Sequence, residues 1–321
     1  MVSLITVNFN QTEATCALLD SIRRQDWREL EVVVVDNGSR DNPQTLLETR
    51  YPEARVLRSE QNLGFAGGNN LGLETAQGEF IFFVNNDAEL TAGCIKHLLD
   101  VFSKHPDAGM ASPLICYFPE KNQPADRIQY AGMTAIHPLT ARNRTIGQGE
   151  TDEGQYRDDR LTAYPHGAAM MVPRRVIETA GPMEDNFFLY YEELDWAERI
   201  RRTGFEVWVA PRARVYHHES LTIQPLGAMK TYFLTRNRVR FMRRNFNGAG
   251  LAVFFVFLLL FTVPKNTFLY ILRRQWPQLK AFWQGLAWHL GLRRSRWEQI
   301  AEMRATRAPL KSTETRQHAP V

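Results

Sequence analysis

Three polar residues end an apolar stretch in the first third of the chain. The sequence FIFFV at residues 80–84 has the composition of a strand buried on both faces, and Asn85, Asn86 and Asp87 follow it directly. Open α/β sheets bind ligands at the carboxyl ends of such strands. Asp87 is therefore a candidate ligand for a divalent metal that would hold phosphates. The alternative is a turn that caps the next helix.

Three carboxylates, Glu192, Glu193 and Asp195, follow an aromatic run at residues 187–191. Aromatic neighbours exclude water from a carboxylate and so raise its pKa. A raised pKa suits a general base that works near neutral pH. The alternative is that these residues only begin a helix, where acidic side chains are favoured.

Three further places carry residues suited to nucleotides or metals. Asp36 ends an apolar strand and could accept a hydrogen bond from a base, although DNG at residues 36–38 is also a turn sequence. Residues 62–72 hold four glycines, which let the backbone approach a phosphate closely. Their spacing matches neither GxGxxG nor a P-loop. His217 or His218 could complete a cation site that one aspartate leaves short of ligands.

Alternating strands and helices position these residues. Apolar runs predict strands at residues 2–9, 31–35, 55–57, 80–84, 168–172, 206–210 and 213–215. Helical spacing predicts helices at residues 14–25, 43–50, 67–77, 92–105 and 194–202. Residues 116–160 read as a long irregular excursion. The alternation predicts an α/β fold, with a mostly parallel sheet and helices on both faces.

The charge of the chain is unevenly distributed. The 321 residues are 44% hydrophobic and 23% charged, as in an ordinary globular protein of one large or two small domains. The net charge is +4, but residues 230–321 hold 17 basic and three acidic side chains, against 22 and 32 in residues 1–229. An acidic body with a basic C-terminal region predicts a metal-binding pocket and an anionic partner. We expect no nucleic-acid partner.

The cysteines and the N-terminus indicate a reducing compartment. Cys16, Cys94 and Cys116 lie far apart without a CxxC pair, so neither a zinc site nor a disulfide framework is indicated. The first residues run straight into an apolar strand and show no secretory signal.

The C-terminal region predicts contact with a membrane. Residues 251–263 are an apolar run, which Pro264 and Lys265 interrupt before residues 267–272 resume it. Thirteen helical residues rise about 20 Å, short of the roughly 30 Å core of a bilayer. We therefore favour a helix that lies in the membrane surface, held by flanking arginines and tryptophans. A single span and a buried core helix are the alternatives, and residues 305–321 are predicted to be disordered.

Six motifs occur in an order that resembles a known family. They are VNFN at 7–10, VDNGS at 35–39, NLGFAGGN at 62–69, FVNND at 83–87, YEELD at 191–195 and VYH at 215–217. In this order they resemble the inverting family-2 glycosyltransferases of the GT-A fold. The likeness is greatest to the rhamnosyltransferase-like and galactofuranosyltransferase-like bacterial subgroup, and it covers residues 2–245.

The resemblance implies roles for these residues. Asp36 would read the uracil or thymine base of the donor, and Asp87 with His217 would hold Mg²⁺ or Mn²⁺. The nucleotide-sugar pocket would be lined by Asn8, Asn10, Asp36, Asn62, Gly64, Phe65, Ala66, Asn69, Asn86 and Asp87. The first Asp of the family's DxD motif is missing, which leaves fewer protein ligands. Glu193 stands where many relatives have Asp.

The choice of base is open between Glu192 and Glu193, with Asp195 in the same cluster. We prefer Glu192 at this point, because it directly follows the aromatic run, where desolvation should be greatest.

The sequence thus predicts an inverting glycosyltransferase. It would move a sugar, with rhamnose the commonest expectation, from a UDP- or dTDP-sugar to a glycan or lipid-linked acceptor, at the cytoplasmic face of the inner membrane. The predicted regions are a nucleotide-sugar half (1–110), an acceptor and catalytic half (111–229), a membrane-associating region (230–304) and a tail (305–321). A nucleotidyltransferase and a non-catalytic sugar-nucleotide binder are the alternatives. The sequence does not specify an oligomeric state.

Overall fold

The computed structural model describes residues 1–119, 127–218 and 227–291. Its strands are β1 (Val2–Asn8), β2 (Leu30–Asn37), β3 (Ala54–Ser59), β4 (Phe80–Val84), β5 (Ala88–Leu90), β6 (Ala108–Tyr117), β7 (Ile128–Tyr130), β8 (Arg160–Leu161), β9 (Ala169–Pro173) and β10 (Glu206–His217). Its α-helices are α1 (Thr12–Arg23), α2 (Gln44–Arg50), α3 (Gly64–Leu73), α4 (Cys94–Lys104), α5 (Arg174–Ala180), α6 (Glu192–Arg202), α7 (Gly227–Asn245), α8 (Gly248–Phe257), α9 (Val263–Leu272) and α10 (Trp276–Ala287). The predicted disordered tail lies outside the described residues.

One sheet organises the fold, in the order β3-β2-β1-β4-β9-β6-β10-β5, with β7 on β6 and β8 on β10. The strands β3, β2, β1 and β4 pair in parallel, whereas β9 runs antiparallel to both β4 and β6. The chain leaves β1 for β2 on one side and returns to β4 on the other, so a topological switch point lies between β1 and β4. Open sheets bind ligands at such a crevice.

Alternation along each strand builds two apolar layers. Leu4, Val34 and Phe82 join the cluster that contains residues of α1 and α4. Their neighbours Ile5, Val35 and Phe83 point to the opposite face, toward α5 and α6. This arrangement confirms the predicted α/β fold with helices on both faces, although the second half of the sheet is mixed rather than parallel.

Several boundaries differ from those predicted. Helix α3 begins at Gly64, within the glycine-rich stretch, and α6 begins at Glu192, within the acidic cluster. The two short strands predicted at 206–210 and 213–215 form one strand, β10, which is irregular between Ala210 and Arg214. These shifts place both functional stretches at helix N-termini.

Helix α7 packs on α6 of the α/β body (residues 1–217), although the sequence predicts that residues 230–245 belong to the membrane-associating region. Its Phe233 and Phe241 are buried, and so are the polar side chains of Arg236 and Asn237.

The helices after α7 carry an apolar surface. Residues Gly248–Leu272 form one continuous helix of 25 residues, in which a π-helical turn at Leu258–Thr262 precedes Pro264. The sequence predicts an interruption at Pro264, but the helix continues through it. One side, with Phe254, Leu258 and Val263, packs on the α/β body. Of the most apolar 18 residues of this helix, however, 11% are buried.

Candidate active site

A buried polar network joins the ends of β1 and β2. Asn8 Nδ2 donates to Asp36 Oδ1 at 3.0 Å, and Thr15 Oγ1 donates to Asn8 Oδ1 at 2.9 Å. The other carboxylate oxygen of Asp36 binds Arg58 Nη1 at 2.7 Å. Both oxygens of this fully buried carboxylate are thus engaged, which orients its remaining lone pairs.

The same network reaches Asn10 and Asn86. Ser39 Oγ accepts a hydrogen bond from the Asn10 backbone N–H at 2.8 Å, and Asn10 Oδ1 accepts one from the Arg40 N–H at 2.8 Å. Asn86 Nδ2 donates to Thr15 Oγ1 at 3.1 Å. The structure therefore brings Asn8, Asn10, Asp36 and Asn86 together across the switch point between β1 and β4.

Asn37 holds the glycine-rich stretch against this edge. Its Nδ2 donates to the Gly64 carbonyl at 3.0 Å and to Asn62 Oδ1 at 3.1 Å. Gly64 has a φ of +73°, and a side chain there would lie 2.3 Å from the Phe188 carbonyl oxygen. Only glycine fits this position.

The start of α3 does not offer all its amides to a ligand. The Phe65 N–H donates to the Phe188 carbonyl at 2.7 Å and does not face a ligand. Asn69 Nδ2 donates to the Phe65 carbonyl at 3.0 Å, and Ala66 is buried in the core. The stretch therefore shapes the edge of the site and ties it to the aromatic run before α6.

Asp87 and His217 lie together at the ends of β4 and β10. Asp87 Oδ1 is 3.2 Å from His217 Nε2, and both side chains are nine-tenths buried. His217 Nδ1 lies 2.9 Å from Gln129 Oε1. An amide oxygen only accepts, so His217 Nδ1 donates to Gln129, and Nε2 faces Asp87. His218 instead stacks on Phe118, with ring centroids 3.6 Å apart.

This pair fits a divalent metal. Asp87 Oδ1 is buried and accepts no hydrogen bond from the described residues, although an unpaired buried oxygen is costly. A carboxylate oxygen and an imidazole nitrogen that face each other at this distance suit two positions in the ligand set of a divalent metal. Within the described parts of the chain no third His, Cys, Asp or Glu joins them, so further ligands must come from water or substrate.

Glu192 and Glu193 both lie at the N-terminus of α6 with raised pKa values. Burial, together with the neighbouring Glu193 charge, holds the pKa of Glu192 well above its usual range. Burial raises the pKa of Glu193 to about 7. Each has one buried oxygen, Oε2, that accepts no hydrogen bond from the residues that the structure describes. Glu192 is 3% exposed, whereas Glu193 is half-buried.

An unusual backbone delivers these two glutamates. Phe188, Tyr190 and Tyr191 all have positive φ angles, of 65°, 71° and 75°. Each such residue costs on the order of 1–3 kcal/mol and persists only where the surroundings enforce it, as at functional sites. The aromatic run is therefore a strained lead-in to α6 rather than a plain helix start.

The loop before β9 links the glutamates to the metal pair. The Asn85 N–H, next to the pair, donates to the Ala168 carbonyl at 2.8 Å. A side chain added at Gly167 would lie 3.9 Å from Glu193 Oε1 and 3.9 Å from the ring of Phe65. The acidic cluster, the glycine-rich stretch and the end of β4 thus meet around residues 166–168.

His166, in this loop, was missed by the sequence analysis. Its ring lies edge-on to His217, with centroids 5.8 Å apart, and its Nδ1 accepts the Ala168 N–H at 3.1 Å. Burial lowers its pKa to about 3, which keeps the ring neutral. Gln129 and Arg58 were missed as well, since no motif surrounds either residue.

Asp195 does not belong to this site, although the sequence placed it in the catalytic cluster. Its carboxylate accepts hydrogen bonds from Arg244 Nε and Asn245 Nδ2, both at 2.9 Å, and lies 3.3 Å from Arg199 Nε. It is 1% exposed. With these contacts its role is to tie α6 to α7.

We expect Asp195→Ala to lower the free energy of unfolding by about 3 kcal/mol. Loss of one partner of a buried ion pair commonly costs more, but Arg244 stays partly exposed to water. Denaturant unfolding measures the effect, with Glu48→Ala on the exposed face of α2 as the control. An unchanged unfolding midpoint would contradict the structural role.

The sequence also matches a family profile. Residues 3–181, more than half of the chain, match the family described as glycosyl transferase family 2. The chain belongs to this family. It is therefore an enzyme, a glycosyltransferase, and neither the nucleotidyltransferase nor the non-catalytic binder is retained.

This family 2 glycosyltransferase is similar to named relatives. It is 26% identical over 224 residues to the N-acetylglucosaminyl-diphospho-decaprenol L-rhamnosyltransferase of Mycobacterium tuberculosis, covering 63% of this chain and 71% of the relative. It is 26% identical over 212 residues to the low-salt glycan biosynthesis hexosyltransferase Agl10 of Haloferax volcanii, covering 64% and 63%.

Solved structures show the same fold. TarS of S. aureus (residues 1–349) superposes with a TM-score of 0.56 at 16% identity, over 89% of this chain and 80% of that one. The mannosyltransferase PcManGT of Pyrobaculum calidifontis, solved with GDP-Man and Mn²⁺, superposes with a TM-score of 0.55 at 17% identity, over 95% and 78%. The family 2 glycosyltransferase described here thus has the GT-A fold.

Proposed function

We propose that this family 2 glycosyltransferase moves a sugar from a UDP- or dTDP-sugar to an acceptor hydroxyl and inverts the anomeric centre. One observation carries the proposal. A half-buried Glu193, with an unpaired oxygen and a pKa near 7, lies beside the loop that reaches the Asp87–His217 pair. A base and a metal pair at one sheet edge suit a single displacement.

The donor nucleotide would bind at the ends of β1 and β2. Asp36, held by Asn8 and Arg58, has lone pairs left to accept an N–H of a uracil or thymine base. Asn10 and Asn86 border the same space, and the stretch from Asn62 to Asn69 closes one side of it.

Asp87 and His217 would hold Mg²⁺ or Mn²⁺. A metal there would neutralise the charge that develops on the leaving diphosphate. Gln129 accepts a hydrogen bond from His217 Nδ1 and so orients Nε2 toward Asp87, where Asn85 Nδ2 also lies 3.3 Å away. Two structural neighbours were solved with Mn²⁺, which supports Mn²⁺ as the first metal to test.

Glu193 is the base that we propose, with Glu192 as the alternative. A base must reach the acceptor hydroxyl and be ionised near neutral pH. Glu193 is half-buried and has a pKa of about 7. Glu192 is nearly inaccessible, and burial together with the Glu193 charge holds its pKa well above the usual range, which disfavours it as the base. Glu193 would take the acceptor proton as the oxygen attacks the anomeric carbon.

The acceptor that we propose is lipid-linked. The relatives from Mycobacterium tuberculosis and Campylobacter jejuni carry diphospho-decaprenol and PP-undecaprenol acceptors in their names. The first of them is an L-rhamnosyltransferase, which supports a rhamnose donor among the first nucleotide sugars to be tested. The excursion from β7 to β8, next to β6 and β10, borders the side where the acceptor would enter.

Nucleotide release from a panel of UDP- and dTDP-sugars, with and without Mn²⁺, tests the proposed function. We expect slow, metal-dependent hydrolysis of one donor, which a polyprenyl-diphosphate sugar acceptor accelerates. Calorimetry with UDP, dTDP and CTP identifies the base that binds. Binding of CTP alone, or release that does not depend on metal, would overturn the assignment of donor or metal.

The C-terminal helices would lie in a membrane surface, facing the cytoplasm. Gly248–Leu272 is long and apolar enough to cross a bilayer, but one side packs along the α/β body. A span across the bilayer would have to break that contact. Eleven of the fourteen exposed large apolar side chains in the described residues lie between 253 and 290. Lys265, Arg273, Arg274 and Lys280 are exposed beside them and suit anionic lipids.

Replacing Leu260 and Phe261 with serine should weaken binding to phosphatidylglycerol vesicles by at least about tenfold, because burying one such side chain is worth about 1.5–3 kcal/mol. Both are about 60% exposed and make the surface of the helix. Vesicle co-sedimentation measures the effect. Leu46→Ser with Leu161→Ser is the matched control, since both leucines are exposed on other faces. Equal loss in the two double variants would refute the membrane face.

A further inference from the structure

The aromatic lead-in to α6 is held from outside by α7. Phe188, Tyr190 and Tyr191 adopt positive φ angles, which bulky residues leave unless neighbours prevent it. This segment ends where Glu192 and Glu193 begin. Whatever holds the segment therefore sets the direction of both carboxylates.

Asn237 makes the contacts that hold it. Its side-chain Nδ2 lies 2.9 Å from the Phe187 carbonyl oxygen, 2.8 Å from that of Leu189 and 2.9 Å from that of Tyr190. An amide group has two protons, so three carbonyls that converge on one nitrogen share them. Asn237 is fully buried, so water does not replace these bonds.

Two further contacts fix the frame around Asn237. Arg236 Nη2 donates to the carbonyls of Asn186 and Phe187, both at 2.8 Å. Behind it, α10 packs so closely that a side chain at Gly285 would lie 2.9 Å from the Tyr232 carbonyl oxygen. Helix α7 is thus wedged between α10 and the segment that it holds.

The held segment also touches the donor side of the site. The Phe188 carbonyl accepts the Phe65 N–H at 2.7 Å, and Phe65 lies within the stretch that we assign to the nucleotide. One end of the segment therefore contacts the donor loop and the other carries the base.

We propose that Asn237 is a positioning residue for the transfer reaction. By binding three carbonyls it keeps the strained segment in place, and so aligns Glu193 with the donor loop. This inference rests on the proposed function, since it assigns a role toward the base of that reaction.

The test uses Asn237→Leu and Asn237→Ala in the full-length chain. Leucine keeps the branched shape of the side chain but removes both amide protons, whereas alanine leaves room for a water that can bind the carbonyls. We expect kcat for donor hydrolysis to fall about 10²-fold with leucine and less with alanine, as for a misplacement of about 1 Å. The dissociation constant for UDP or dTDP should change less than about threefold, because the residues that we propose for the nucleobase lie at the ends of β1 and β2, not on α7.

Asn245→Leu is the matched control. Asn245 lies on the same helix and donates to Asp195 and to the Phe241 carbonyl, so the variant loses comparable hydrogen bonds without touching the segment. Hydrogen exchange of the amides in residues 187–191, measured on each variant, should speed up for Asn237→Leu and not for Asn245→Leu.

The outcomes separate the two levels of the proposal. A wild-type chain that releases no nucleotide would overturn the proposed function. The hydrogen-exchange data would still test whether Asn237 holds residues 187–191 in place. Unchanged kcat and exchange in Asn237→Leu would overturn the positioning role. Equal losses of kcat and of stability in Asn237→Leu and Asn245→Leu would also overturn it, since they would show a general structural effect only.

Discussion

Glu193→Gln is expected to lower kcat by about 10²- to 10⁴-fold, the contribution of a positioned general base. Glutamine keeps the shape of the side chain but cannot take the acceptor proton. The dissociation constant for the donor nucleotide should stay within about twofold, because the residues that we propose to bind the nucleobase do not include Glu193. Single-turnover transfer and calorimetry measure the two quantities separately.

Glu192→Gln is the matched control for this experiment. Burial and the Glu193 charge hold the pKa of Glu192 well above its usual range, which favours its neutral form, and glutamine resembles that form. Its kcat should stay close to that of the wild type. The reverse result, with activity lost in Glu192→Gln and kept in Glu193→Gln, would make Glu192 the base.

The pH dependence gives an independent check. Burial raises the pKa of Glu193 from 4.5 to about 7, and the charged or titratable groups that act on the pair are Tyr190 and Arg236. A base must be ionised, so kcat should fall as the pH drops through about 7. The raised pKa also means that ionising Glu193 costs stability as the pH rises, so Glu193→Gln should be more stable than the wild type above pH 7.

Asp87→Ala is expected to lower kcat/KM by about 10²- to 10³-fold. A metal contact with a leaving phosphate is worth several kcal/mol, and each 1.4 kcal/mol or so is a factor of ten in rate. Asp87 and His217 are the two protein ligands that we propose in the described chain, so loss of one should also weaken Mn²⁺ binding. Calorimetric titration of Mn²⁺ in the presence of UDP measures that effect without turnover.

Glu89→Gln is the control for Asp87→Ala. Glu89 is a nearby carboxylate that lies 3.3 Å from Arg24 at the surface, and its loss should leave Mn²⁺ affinity unchanged. Equal Mn²⁺ affinity in wild type and Asp87→Ala would show that the metal, if required, binds elsewhere.

The missing first Asp of the family motif has a structural counterpart here. Asn85, at that position, lies with its Nδ2 3.3 Å from His217 Nε2 and gives its backbone N–H to Ala168. The position thus orients the loop beside β9. Because Asn85 carries no negative charge, Asp87 supplies the only carboxylate at the family-motif position.

The sequence by itself determined the sheet and the edge where the site lies. Apolar runs mark strands, and a polar residue that follows such a run must emerge at a strand end. Asn8, Asp36 and Asn85 were located in this way, and the structure has each at the end of β1, β2 or β4. Helix starts were less well predicted, because the glycines of α3 and the glutamates of α6 also suit loops.

Only the tertiary structure decided which of the polar residues share a site. Asp195 reads like its neighbours in the sequence, but a contact with Arg244, 49 residues away, turns it into a link between helices. Gln129 orients His217 across 88 residues, and Asn237 holds the Tyr190 carbonyl across 47. Such contacts follow no local period, because they depend on how whole helices and strands pack. Glu192 and Glu193 are adjacent in the chain, yet the packing around α6 buries one and leaves the other accessible.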